Sequence, residues 1–148
     1  MRVYLDICCF NRPFDDQASL TVRLETEAKL DIQDKIRAGE IGLGWSYILD
    51  LENQANPFPD RRRETLCWKV RAEASVEETP AILTDMNRLI AVGLKPLDAL
   101  HIACAAALSC QYFLTVDKGI LKKAARVTNI ALINPVDFII LWEEQYDR

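Results

Sequence analysis

Four acidic residues of this chain lie among apolar neighbours, where an ionised side chain costs free energy unless it has a task or a partner. Asp6 and Asp117 each follow a short apolar run that predicts a buried strand. Glu52 lies on the apolar stripe of one predicted helix, and Asp98 lies in the most apolar helix of the chain. These four carboxylates therefore belong to the inside of the fold rather than to a solvated face.

If the four carboxylates share one pocket, their charges must be balanced. Two carboxylates ~5 Å apart repel by about 3 kcal/mol at an effective dielectric constant of ~20, so the pocket either keeps some of them protonated or binds a cation. Ligand sets made only of oxygen atoms select hard ions, which here means Mg²⁺ or Mn²⁺. Such an ion binds phosphate oxygens and activates water, so the pattern predicts cleavage of a phosphodiester bond.

Each acid taken alone also has a structural explanation. Asp117 can cap the helix that follows it, and Asp98 can interact with the dipole of a helix first turn. Asp6 can close its strand through an Asx turn, and Glu52 can pair with an arginine. The convergence of two strand ends and two apolar helix faces on one edge of a sheet favours a shared site.

The elements that position these acids alternate between strands and helices. Apolar runs predict four strands, at residues 3–5, 41–45, 112–116 and 130–133. Apolar periodicity predicts helices at residues 20–38, 47–55, 61–91 with a break near Pro80, 96–108, 118 onward and 135–142, with loops at 11–16 and 53–60. This alternation is typical of an α/β domain with a parallel sheet and helices on both faces. Ligands of such sheets bind beyond the carboxyl ends of the strands, the edge where Asp6 and Asp117 are predicted to meet.

The composition excludes several other classes of protein. The chain has 148 residues, of which 50% are hydrophobic and 27% charged, so we expect a single domain over residues 1–148. Its longest nearly apolar run, residues 99–110, is shorter than the ~20 residues of a membrane span, and its start lacks the apolar core of a secretion signal. We therefore expect a cytoplasmic protein with reduced cysteines. The net charge of −4 argues against binding nucleic acid by charge alone.

The residues around the four acids resemble the motifs of PIN-domain ribonucleases. The resemblance covers nearly the whole chain and includes the order and spacing of the acidic quartet. The matching motifs are Val3-Tyr4-Leu5-Asp6, Ser46 before Glu52, Leu97-Asp98-Ala99-Leu100-His101-Ile102-Ala103, and Phe113-Leu114-Thr115-Val116-Asp117. Residues 11–17 also resemble the loop of a bacterial subgroup.

The resemblance implies a three-layer α/β/α fold with a central, mostly parallel sheet of four to five strands, and RNA cleavage that depends on Mg²⁺ or Mn²⁺. It further implies kinship with the VapC-type toxins of bacterial toxin–antitoxin modules, which usually form homodimers and are held inactive by a cognate antitoxin protein. Carried onto this chain, it makes Asp6, Asp98 and Asp117 metal ligands, directly or through water, and Glu52 a residue that ligates or orients water. Thr115 is expected to hold a neighbouring carboxylate through its hydroxyl.

The chain departs from the family pattern directly after Asp6. Many members have Thr or Ser there, followed by Asn or Ser, whereas this chain has Ile7 and Cys8, which reduces polar support for Asp6. The departure motivates a second hypothesis, a non-catalytic PIN-like module that binds an antitoxin or another protein. Aspartyl-phosphate chemistry is disfavoured, because phosphatases of that type have a second Asp where Cys8 stands.

Other residues near the predicted site have two open interpretations each. His101, the single histidine, either takes part in proton transfer or is a core residue bonded to a carbonyl. Glu25 either faces the site or pairs with Arg12 or Arg23. The basic run of residues 61–63 either follows an RNA backbone or forms a solvated helix face. The tryptophans are expected in the core or in a dimer interface: Trp45, Trp68 and Trp142.

Overall fold

Strands and helices alternate along the chain in the computed structural model, which describes residues 1–146. The strands are β1 (Arg2–Leu5), β2 (Gly42–Ser46), β3 (Ala74–Val76), β4 (Tyr112–Leu114) and β5 (Ala131–Ile133). The α-helices are α1 (Ile7–Asn11), α2 (Leu20–Arg37), α3 (Tyr47–Gln54), α4 (Pro59–Lys69), α5 (Pro80–Ala91), α6 (Pro96–Ala107), α7 (Lys118–Leu121) and α8 (Pro135–Tyr146). Short 3₁₀ turns occupy Arg12–Phe14 and Ala124–Arg126.

Local sequence signals explain where many of these helices begin and end. Helices α4, α5, α6 and α8 begin with proline, which has the φ angle of a helix and lacks the N–H that a first turn leaves unpaired. Helix α2 ends just before Gly39, whose φ of 77° is open to glycine without strain. The predictions of helix starts at Pro96 and Pro135 and of a helix end near Gly39 are confirmed.

The sheet has the strand order β3-β2-β1-β4-β5, and every neighbouring pair is parallel. The central strand β1 places Val3 opposite Leu43 of β2, and Tyr4 opposite Phe113 of β4. The chain runs outward from β1 through β2 to β3, and then returns to add β4 and β5 on the other side. The order therefore reverses between β1 and β4, and crevices at such reversals are where open parallel sheets bind ligands.

The two faces of the sheet are covered by different helices. On one face the ring of Tyr4 stacks on Phe113 and meets His101 of α6, with centroids 5.3 and 5.8 Å apart. On the other face Tyr112 packs edge-on against Phe138 of α8, at 5.3 Å. Helix α5 packs on α6, and α2 packs on α8. The predicted three-layer α/β/α architecture with a parallel sheet is confirmed, with five strands.

The core forms between these layers. Residues 3–5 of β1 are fully buried because helices cover both faces of the central strands. Helix α6 is buried along most of its length, as its nearly continuous apolar sequence predicts. The tryptophans, expected in the core or an interface, are all buried within this chain: Trp45, Trp68 and Trp142. No helix within residues 1–146 combines the length and apolarity needed to cross a membrane.

Two predicted segments differ from the structure. Residues 61–91 are predicted to be helical apart from a break near Pro80, whereas Ala74–Val76 forms the edge strand β3. Ser75 of this strand lies opposite Trp45, so pairing with β2 decides its conformation rather than local composition. The loop predicted at residues 11–16 is largely replaced by the end of α1 and a 3₁₀ turn.

The apolar stripe predicted for α2 is only partly correct. Ile32 and Ile36 are buried as expected, but Leu20 and Leu24 are 62% and 49% exposed. The buried side of the first turns instead contains Glu25, which forms an ion pair. The reason is that Arg12, one of the two partners considered for Glu25, supplies the opposite charge, whereas apolar spacing along one helix describes only its hydrophobic contacts.

Candidate active site

Asp6 lies at the carboxyl end of the central strand and is almost fully buried. Its Oδ2 accepts hydrogen bonds from the Thr115 hydroxyl at 2.9 Å and the Cys8 thiol at 3.3 Å, and its Oδ1 accepts from the Ile7 N–H at 2.8 Å. Burial raises the pKa of the Asp6 carboxyl above its ordinary value, and the bonds from Thr115 and Cys8 oppose that rise. The carboxylate is therefore held in one orientation by three donors.

Thr115 links the ends of the two central strands. It is fully buried directly after β4, donates its hydroxyl to Asp6, and accepts the Asp117 backbone N–H at 3.1 Å. Asp117 caps α7, because its Oδ1 accepts the N–H groups of Gly119 and Ile120 at 2.7 and 3.3 Å. The sequence-predicted helix cap and the predicted bond from Thr115 to a neighbouring carboxylate are both present, in one connected arrangement.

Asp98 projects from the first turn of α6 toward the same edge. Burial raises the pKa of Asp98, and the charges of Asp6 and Asp117 raise it further. The three carboxylates therefore lie within electrostatic reach of one another. Within residues 1–146 the Asp98 carboxylate has no hydrogen-bond donor, so nothing in that part of the chain offsets this repulsion by a direct contact.

Glu52 joins the site through a buried relay that sequence reasoning missed. Its Oε1 lies 2.8 Å from His101 Nε2, and His101 Nδ1 lies 2.7 Å from the Tyr4 hydroxyl. The Tyr4 hydroxyl lies 2.6 Å from Ser46 Oγ, which accepts the Leu49 N–H as the cap of α3. The expectation that His101 bonds a backbone carbonyl is wrong, and so is the arginine partner considered for Glu52.

Hydrogen-bond chemistry sets the direction of this relay. With Glu52 ionised and the imidazole neutral, His101 Nε2–H donates to Glu52, and Nδ1 accepts from the Tyr4 O–H. Burial raises the pKa of Tyr4 well above its usual range, which keeps the phenol protonated as this requires. The Ser46 hydroxyl completes the chain by donating to Tyr4. Two sequence signals pointed to the relay: a tyrosine within a buried strand, and a histidine one turn after Asp98.

The remaining candidates lie outside this arrangement. Glu25 forms an ion pair with Arg12 at 2.7 Å, which confirms its interpretation as the partner of an arginine. Arg63 pairs with Asp60, and Arg62 donates to the Asn56 carbonyl. The basic run is therefore neither a continuous backbone-binding strip nor a uniformly solvated face.

The donor chemistry of the site fits a hard divalent cation. Asp98 has both carboxylate oxygens available, and Asp117 Oδ2 has no donor within the described part of the chain. A carboxylate has about four lone-pair sites, so Asp6 keeps unused ones despite its three donors. In residues 1–146 no three His, Cys, Asp or Glu side chains are placed closely enough to enclose an ion as they stand. The match is therefore one of ligand type and charge, with oxygen donors suited to Mg²⁺ or Mn²⁺.

Comparison with known proteins finds similar folds but no similar sequence. No family model matches the chain, and no curated protein matches it. A similar solved structure is that of VapBC2 from Rickettsia felis bound to a promoter DNA fragment, with 14% identity, coverage of 90% of this chain and 98% of that chain, and a TM-score of 0.57. Another is FitAcB from Neisseria gonorrhoeae, with 15% identity, coverage of 90% and 97%, and a TM-score of 0.56. The architecture is thus the three-layer PIN-like fold that the sequence motifs imply.

Proposed function

We propose that this chain, which has a PIN-like fold, is a metal-dependent ribonuclease that hydrolyses phosphodiester bonds of RNA. The observation that carries the proposal is that Asp6 and Asp117 follow the two central strands where the strand order reverses, with the Asp98 carboxylate within electrostatic reach of both. Their mutual repulsion disfavours the arrangement unless a cation offsets it, and RNA is a substrate that brings phosphate oxygens to such a cation.

The chain's own residues have separable tasks in this reaction. Asp6, Asp98 and Asp117 would hold Mg²⁺ or Mn²⁺, which would supply the positive charge that binds phosphate oxygens and makes water more acidic. Thr115 and Cys8 keep Asp6 from rotating. Glu52, fixed by His101, accepts a hydrogen bond from the attacking water and orients it.

The contact between Cys8 and Asp6 supports a catalytic role over the non-catalytic module. The sequence departs from the family pattern at this position, yet the Cys8 thiol reaches Asp6 Oδ2 at 3.3 Å. It also lies 3.4 Å from the Thr115 hydroxyl. The thiol therefore takes the place of the polar side chain that the pattern expects, and Asp6 keeps its side-chain support.

A role as the toxin of a toxin–antitoxin module is the finer part of the proposal. It is supported by the sequence resemblance to VapC-type toxins and by the fold shared with a chain of VapBC2. We propose a cognate antitoxin protein as partner, a homodimer as the assembly and the cytoplasm as the location. The partner and the assembly follow from the resemblance, the location is the one expected from the composition, and each is open to direct measurement.

The test is the substitution Asp98→Asn, which removes a charge without removing a hydrogen bond found in the described chain. Wild-type protein with Mn²⁺ is expected to cut single-stranded RNA, and Asp98→Asn to cut it about a hundredfold more slowly or worse, since losses of 10–100-fold follow even from weaker disturbances of a metal site. Asp34→Asn, which alters an exposed carboxylate on α2, is the matched control and should cleave normally. RNA fragments are measured on denaturing gels.

Growth on induction separates the two hypotheses in cells. A ribonuclease toxin arrests growth, and its Asp98→Asn form does not. If purified wild-type protein leaves RNA intact and both forms are equally tolerated, the ribonuclease proposal is wrong and the non-catalytic module is favoured.

A further inference from the structure

A cleft of about 370 Å³ opens beside the acidic site, bordered by α1, α3 and α4. One part of its wall is Glu52, and another is Ile7, the residue that follows Asp6. Phe58 and Arg61 also line it. The cleft is therefore continuous with the site at which the chain is proposed to cut RNA.

Phe14, Phe58 and Arg61 form an exposed stack at this cleft, termed here the aromatic–arginine platform. The Arg61 guanidinium carbon lies 4.2 Å from the ring centroid of Phe58 and 5.3 Å from that of Phe14. Arg61 also donates to the Phe14 carbonyl at 3.3 Å. Phe58 and Phe14 are nevertheless 51% and 39% exposed. Large aromatic rings held in place yet open to solvent offer flat surfaces to a ligand.

The charge of the platform is not neutralised within the described chain. Arg63, two residues further along α4, pairs with Asp60, whereas Arg61 forms no ion pair in residues 1–146. The cleft also contains Asn11, whose Oδ1 accepts from Asn56 Nδ2 at 3.3 Å. The Asn11 Nδ2 group donates no hydrogen bond in that same part of the chain, and it is a suitable donor to the edge of a base.

We propose that the aromatic–arginine platform binds an unpaired base of single-stranded RNA next to the bond that is cut. The proposal rests on the proposed ribonuclease function and adds to it the form of the substrate. Bases that are not paired stack on aromatic rings and on guanidinium planes, and a nearby cation attracts the adjoining phosphate. A base within a duplex is stacked on its neighbours and offers no free face to Phe58.

The experiment measures RNA binding apart from cleavage. The probe is a fluorescein-labelled single-stranded RNA oligonucleotide of mixed sequence, titrated in anisotropy with full-length Asp98→Asn protein as background. Adding Phe58→Ala is expected to raise Kd by about tenfold or more, in line with the loss of one stacked base. Phe58→Trp keeps a ring and should restore binding. The affinity for a duplex of the same sequence should change little.

Variants of Arg61 separate stacking from charge. Arg61→Ala should weaken single-stranded binding, and Arg61→Lys should restore only part of it, because an ammonium keeps the charge but lacks the plane. Arg63→Ala removes the same charge from a neighbouring exposed position and is the matched control. Phe58 and Arg63 are exposed and Arg61 is only partly buried, so circular dichroism and melting temperatures should match the background protein.

The outcomes distinguish this proposal from the proposed function. Cleavage that depends on Asp98, with a Kd that does not change on Phe58→Ala, overturns the platform and leaves the ribonuclease. If single-stranded RNA binding depends on Phe58 but the wild-type protein does not cleave RNA, the platform proposal is retained and the ribonuclease proposal is wrong. An equal loss of affinity for single-stranded RNA in Arg61→Ala and Arg63→Ala means that charge alone attracts the RNA, and it overturns the platform proposal.

Discussion

Glu52 is held by a chain of four hydrogen bonds that begins and ends on its own helix. The chain runs from the Leu49 N–H through Ser46, Tyr4 and His101 to the Glu52 carboxylate. Every interior member is buried, so each donor needs its acceptor, and an unmade bond costs about 1–3 kcal/mol. Orientation of a single carboxylate thus depends on residues from two strands and two helices.

Substitutions of His101 test whether its Nε2–H positions Glu52. Glutamine places its amide N–H near the Nε2 position and keeps the bond to Glu52, whereas asparagine places its oxygen near Nδ1 and keeps only the bond from Tyr4. His101→Asn is therefore expected to lower kcat by about 10–100-fold with little change in KM, and His101→Gln to lower it less. Steady-state kinetics on a short RNA provide the measurement.

An equal loss of kcat in the two His101 variants would mean that the residue acts through packing alone. Thermal melts recorded by circular dichroism control for global unfolding, because both variants leave one polar group of the relay without its partner.

At the scale of elements, Ser46 has two tasks that follow from its position between β2 and α3. As the helix cap it accepts the Leu49 N–H at 3.3 Å, and as a relay member it bonds Tyr4 at 2.6 Å. Helix α3 carries Glu52, so the cap and the relay both determine where this carboxylate lies. The serine that the sequence places before Glu52 therefore acts on the site from a distance.

A pair of cap substitutions separates these tasks. Ser46→Ala and Thr79→Ala each remove a side chain that caps a helix, α3 and α5 respectively, so each should lower the free energy of unfolding by about 1 kcal/mol. Only Ser46→Ala also breaks the relay, so only it should slow RNA cleavage. Urea unfolding and cleavage rates are measured side by side. Equal cleavage rates in the two variants would show that the relay does not affect Glu52.

At the scale of the whole molecule, the fold gathers acids from distant positions and holds them against their repulsion. Burial and the charges of Asp6 and Asp117 raise the pKa of Asp98, so the metal-free protein is less stable when this group is ionised. A divalent cation that binds only the native state offsets the repulsion between the ionised carboxylates and raises the melting temperature. Stability in the presence and absence of metal therefore reports directly on the site.

The effect of Asp98→Asn on stability is expected to have opposite signs without and with a divalent metal ion. Without divalent ions at pH 7, it should raise the urea midpoint, because it removes repulsion. With millimolar Mn²⁺ the wild type should gain stability and Asp98→Asn should gain little, so the wild type becomes the more stable. A wild-type melting temperature that does not respond to Mn²⁺ or Mg²⁺ would contradict the site.

The pH dependence of the metal-free difference follows from the raised pKa of Asp98. For a carboxyl whose folded pKa lies above its unfolded pKa, the stability contribution is fully present below the unfolded pKa, about 4, and is lost as pH rises through the folded value. The advantage of Asp98→Asn should therefore be largest near neutral pH and should disappear below about pH 4. Urea midpoints of both proteins across this range provide the measurement.

Much of the architecture and the acidic residues of the site were predictable from the sequence because their signals are local. Apolar runs marked β1, β2, β4 and β5, and prolines marked the starts of α6 and α8. Asp6 and Asp117 were predicted to share an edge, because residues that follow parallel strands of one sheet must lie on the same side. Edge strand β3 was not predicted, because its three residues become a strand only by pairing with β2.

The amino-acid sequence by itself determined most of the elements that form and which acids have no solvated face to occupy. Only the tertiary structure decided among the partners open to the buried acids: it paired His101 with Glu52, Cys8 and the expected Thr115 with Asp6, and Arg12 rather than Arg23 with Glu25. It likewise decided that Arg61 contacts two exposed rings. The physical reason is distance along the chain. Periodicity describes contacts within one element, whereas most of these partners are brought together only when separate elements pack around the sheet.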